Sequence, residues 1–145
     1  GRLVSYSGQF YETIEADVRK ALENEFQDGM ATDNIIKLLV INFVERIHEQ
    51  NYRLIYGSQI SLLKQLNHIN FLKMEDVKII YDNAKSIYSE FYADITFESW
   101  LSFLERASLI SRNIQENDIQ FSITPAGTNF LSYLVNRHIS EDKFG

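Results

Sequence analysis

The chain has 145 residues and a mass of 16.9 kDa, the size of one ordinary domain; at 45% hydrophobic and 23% charged residues it is too apolar for a disordered chain. The absence of cysteine excludes disulfides, thiolate metal sites and cysteine nucleophiles. A net charge of −6, with a pI near 5.0, sets the average field against phosphate, so a nucleic-acid contact would need a local basic patch.

In chain order, Phe10, Ile14, Val18, Ala21, Leu22 and Phe26 recur at threes and fours between charged residues, which predicts an amphipathic helix ending near Gly29. Thr32 or Asp33 then supplies the side-chain oxygen that starts a second helix. That helix is apolar on nearly every side from Ile35 to Ile47 and turns charged at "ERIHEQ", so it is either central in a core or covered by a partner. Its stretch "IIKLLVINFV" is too short and too interrupted for a membrane span, which needs roughly twenty apolar residues.

"NYRLIYGSQISLLKQLN" continues helically, with Gly57, Ser58 and Ser61 forming a small-residue notch, a place for close packing or a break between two helices. "HINFLK" reads as a loop, and a clean helical period follows from Glu75 to Phe91. "YADI" interrupts it. Thr96 caps a helix whose inward face carries Phe97, Trp100, Leu101 and Leu104.

From Ile110 the period changes to two, through Ile114, Ile119, Phe121 and Ile123, and "QEND" reverses the chain into a two-stranded hairpin. Thr124 and Pro125 then start a last helix as N-cap and first-turn proline, and the end, residues 140–145, is expected to fray.

This order of helix, "LIS", hairpin, "ITPAG" and helix resembles the last part of a winged-helix domain, the matching residues being Phe97, Trp100, Leu101, Leu104, Leu109, Ile110, Thr124, Pro125 and Gly127. The style is also similar to bacterial domains of unassigned function. Two departures stand out. Ser108 occupies the place where the family commonly has glycine, and the helix from Glu75 to Phe91 is longer than the family's second helix. The expected fold is therefore mainly α: one compact domain over residues 1–145, with a helical part (1–95), a winged-helix-like part (96–139) holding one two-stranded hairpin, and a frayed tail.

The resemblance implies DNA binding by the helix after Thr96, with Arg106 and Arg112 as the contacts. Charge opposes it: between Thr96 and Gly145 stand Glu98, Glu105, Glu116, Asp118, Glu141 and Asp142 against Arg106, Arg112, Arg137 and Lys143. An enzyme is not expected, because the chain shows no phosphate loop or nucleophile elbow. Glu45 and His48 form a single Glu-x-x-His where di-iron bundles use two, so they read as a solvated helix end; no metal and no cofactor is expected.

The leading expectation is a non-catalytic domain for protein–protein or self-association. Tyr6, Phe10, Tyr11 and Phe103 are its candidate exposed anchors, and a protein partner or homo-oligomer its partner class. A DNA-binding transcriptional regulator of winged-helix type is the alternative. The chain lacks a signal-peptide pattern, so a cytoplasmic location is expected, and Gly1 reads as a cleavage scar on a fragment of a longer protein.

Overall fold

The first amphipathic stripe buries against one side of the apolar helix that follows it. In the computed structural model, which describes residues 8–23 and 33–145, the first helix is α1 (Gln9–Glu23) and the second α2 (Asp33–Leu54). The expected helix end at Gly29 and the Thr32 cap lie outside the described residues. Tyr11, Ile36, Val40 and Val44 form a buried cluster, with Phe10, Ile14 and Val18 packed on it. The two helices are also joined by Arg19, whose guanidinium donates to Glu15 and to Asp33, each at 2.8 Å. Arg19 holds the Asp33 carboxyl below its ordinary range, chiefly through the hydrogen bond it donates.

Downstream are α3 (Gly57–His68), β1 (Leu72–Lys73), α4 (Met74–Ile87), α5 (Phe97–Arg106), β2 (Ile110–Gln115), β3 (Asp118–Ile123) and α6 (Pro125–Asn136). The fold is mainly α with a small antiparallel sheet, as expected. The expected two-stranded hairpin is present as β2 and β3, and a third strand joins it to give the order β1-β3-β2. Leu72 pairs with Phe121 and Lys73 with Gln120, while β2 pairs with β3 from Ile110↔Ile123 to Gln115↔Asp118. A two-residue strand offers no periodicity to read, so "HINFLK" concealed it. Through β1 the sheet takes in the residues that lie between α3 and α4, well before the hairpin in sequence.

Two helix starts follow from capping chemistry. The Thr96 side chain accepts from the Ser99 amide at 3.0 Å, and the Thr124 side chain from the Gly127 amide at 3.0 Å, with Pro125 in the first turn. Ser108 adopts φ 58, the left-handed conformation that glycine commonly supplies, and its carbonyl accepts from the Thr124 hydroxyl. α4 stops at Ile87, short of the expected Phe91. Tyr88 leaves helical geometry (ψ 52), and the turns that follow carry Tyr92 into the core, where it is completely buried.

Contacts divide the chain into two compact units, Gly1–Arg53 and Leu54–Gly145. The physical reason is that each has its own core. The first is the cluster on Tyr11 and Val40; the second is built on Ile60, Leu63, Trp100, Leu104, Phe121 and Phe130, all at most 1% exposed. No helix among the described residues is long and apolar enough to cross a membrane.

Phe121 sits on the central strand, paired on both sides and fully buried. Phe121→Ala is expected to cost about 3–5 kcal/mol through lost burial and the cavity left behind. A urea titration followed by circular dichroism measures this; a loss under about 1 kcal/mol would place Phe121 outside the core.

Candidate functional site

Of the expected anchors, Tyr6 lies outside the described residues. Tyr11, expected to be exposed, is only 6% exposed, because it continues the Ile14 and Val18 row at helical spacing and faces α2. Phe10 is half-buried beside it, with its ring 6.0 Å from the His48 imidazole. Phe103, on α5, is half-buried. His48 is buried to 1% exposure, which corrects the solvated helix end: the "ERIH" segment turns its histidine onto the buried row of α2. Among the described residues no three metal-ligating side chains cluster.

α2 has two apolar faces. Ile36, Val40, Ile41, Val44 and His48 are buried, whereas Ile35, Leu38, Leu39 and Phe43 are each between 49% and 53% exposed. At 100° per residue these four fall on one side of the helix, in its first half, with exposed Asn42 among them and Arg46 and Glu49 continuing that side as polar. The sequence signalled an unusually apolar helix but not which row would face water.

The candidate DNA contacts separate. Arg106 is exposed in the last turn of α5, and Glu98 and Ser99 are exposed at the other end of that helix. Arg112 donates to Glu105 at 2.7 Å and lies over the Phe121 ring at 5.2 Å, so its charge is engaged in tying β2 to α5. Ile114, also on β2, is exposed.

The most elaborated site is the N-terminal end of α3, and sequence reasoning missed it. A helix start leaves its first four amides without helical acceptors. Tyr56 stands at the N-cap with no short polar side chain to supply one. The four are satisfied otherwise. The Tyr56 amide donates to Gln59 Oε1 at 2.8 Å and the Gln59 amide to the Tyr56 carbonyl at 3.1 Å. The Gly57 amide donates to the Phe144 carbonyl at 3.2 Å and the Ser58 amide to the Gly145 oxygen at 3.1 Å. Residues 140–145, expected to fray, thus place their last two carbonyls on the start of a helix.

A polar relay reaches the same oxygen from inside the core. Tyr92 O–H donates to the Gly145 oxygen at 2.6 Å, so its one proton is committed and Ser58 O–H donates to Tyr92, also at 2.6 Å. Trp100 Nε1–H in turn donates to Ser58 Oγ at 3.0 Å. Around the relay, Tyr81 lies edge-on to Tyr92 and to Trp100, with centroids at 5.6 Å and 5.7 Å. Phe144 meets Tyr88 at 4.5 Å and Phe91 at 5.1 Å.

The predicted notch at Gly57, Ser58 and Ser61 is therefore filled by the chain's own tail: a Cβ on Gly57 would lie 2.0 Å from the Lys143 carbonyl oxygen. Beside it runs an open groove of about 330 Å³, lined by Ser61 and Gln65 of α3, Asn83 and Ile87 of α4, and Asp142 of the tail. No known protein family, curated protein or solved structure shows a significant match to the chain.

Burial pushes the Tyr92 phenol above its ordinary value of 10.0, against a smaller downward pull from its hydrogen bonds with Ser58 and Trp100. The stabilisation from a raised folded value is full below pH 10.0 and is lost as pH climbs from there through the folded value, because the unfolded chain ionises first. Wild type is expected to lose more of its urea midpoint above that pH than Tyr92→Phe. Parallel slopes for the two proteins would show that the phenol is not shielded.

Proposed function

We propose that the chain is a non-catalytic association module that pairs with a second copy of itself through the exposed row of α2. The observation that carries this reading is that row: Ile35, Leu38, Leu39 and Phe43, each about half exposed, on the face of α2 opposite the one that α1 covers. Scattered exposed apolar residues are ordinary, but four large ones contiguous on one helix face favour an interface. Two such helices packed along their rows would bury both apolar sets, and the polar continuation at Arg46 and Glu49 would form the rim.

Light scattering across micromolar concentrations tests this. Wild type is expected to exceed the 16.9 kDa of one chain, and the double variant Leu39→Glu, Phe43→Glu to be a monomer with unchanged helicity. A wild type that stays monomeric throughout the range overturns the self-association reading.

The winged-helix-like architecture supports a second reading, a DNA-binding regulator that presents α5. Its contacts would be Arg106 and Arg112. It predicts a salt-dependent gel shift whose affinity falls when Arg106 becomes Ala, with a salt slope shallower by about one for the lost phosphate contact. The carboxylates at Glu98 and Glu105 are why association is placed first.

A further inference from the structure

We infer that the N-terminal end of α3 is a peptide-binding site, occupied here by the chain's own Lys143–Gly145 and able to take the same tail from a second copy. Its features are those of a receptor for a short segment. Two consecutive amides, Gly57 and Ser58, meet two consecutive carbonyls, and the Tyr92 hydroxyl adds a second donor to the last oxygen. The side chains are read as well. The Phe144 ring lies against the edges of Tyr88 and Phe91. Gly145 has φ 77, and a Cβ there would lie 2.8 Å from the Phe91 ring, so the last position accepts glycine. Gly57 removes the side chain that would push the segment away. An aromatic residue followed by glycine is therefore the preferred ligand.

The tail is also suited to exchange. Phe144 remains 63% exposed in its docked position, and the connection from α6 carries a partly exposed ion pair, Lys64 to Glu141 at 3.4 Å. Segments with few buried apolar contacts open at a small fraction of the global unfolding free energy. A tail supplied by a second copy reproduces every contact of the first, which is why exchange of identical elements is a low-cost route to a dimer. This inference uses unit Leu54–Gly145 alone and stands whether or not α2 mediates association.

The test uses the 145-residue chain and a fluorescein-labelled peptide with the sequence of residues 140–145, followed by anisotropy. Phe144→Ala in the protein weakens the resident tail and leaves the receptor intact, so the peptide is expected to bind about tenfold more tightly than to wild type, where the resident tail competes. Adding Tyr92→Phe is expected to weaken peptide binding about fivefold, the loss of one hydrogen bond. Gly145→Ala releases the tail through a different contact and must give the same gain, which guards against a folding defect in either variant. The inference is overturned if both variants, folded by circular dichroism, bind no better than wild type, or if a peptide with Ala in place of Phe binds as well as the parent.

Discussion

The amide groups that open α3 are the constraint on which much of the second unit depends. A buried amide without an acceptor costs about 1–3 kcal/mol, and Tyr56 cannot cap the helix with its side chain. Tyr56 and Gln59 satisfy each other's amides, and the acceptors for Gly57 and Ser58 come from Phe144 and Gly145, at the far end of the chain. Once Phe144 and Gly145 cap α3, Gly57 has to remain without a side chain, Ser58 has to carry a hydroxyl, and Tyr92 has to leave the line of α4 to meet them. The relay from Trp100 through Ser58 and Tyr92 to Gly145 then joins α5, α3, the turn after α4 and the tail in one directional chain of donors. Every member of that buried network is satisfied, the condition under which such a network specifies a structure rather than weakening it.

Charge and burial give the surfaces of the two units different character. In the second unit α5 exposes both Glu98 and Arg106, and Arg112 is engaged by Glu105. A partly exposed pair of this kind adds up to about 1 kcal/mol of stability, but it removes a cation from any phosphate contact. In the first unit the conflict is between two apolar rows on one helix. α1 covers only the row through Ile36, Val40 and Val44, and the other row remains in contact with water.

Local signals were legible where one or two residues suffice to fix the backbone. Thr96 and the Thr124-Pro125 pair mark helix starts because a hydroxyl three positions before an amide, or a preset φ, acts within a single turn. The alternation through Ile119, Phe121 and Ile123 marked β3 for the same reason. Tyr11 and His48 were misread because a helical stripe has width: residues at its margin turn inward or outward according to what packs there, and periodicity alone leaves that open. Tyr92 was hidden further, since it lies in a turn where no period applies.

By itself, then, the sequence determined the mainly helical class, the helix-hairpin-helix ending, the absence of thiol chemistry and the acidic balance, all of which follow from composition or from interactions within a few residues. Only the tertiary structure decided the rest: the division into two cores, the third strand, which row of α2 is covered, the engagement of Arg112, and the docking of the tail on α3. Each of these joins groups distant along the chain, by burial or by a hydrogen bond whose acceptor could have come from many places. A donor's need for a partner is written in the sequence; which partner comes within reach is settled only when the chain is packed.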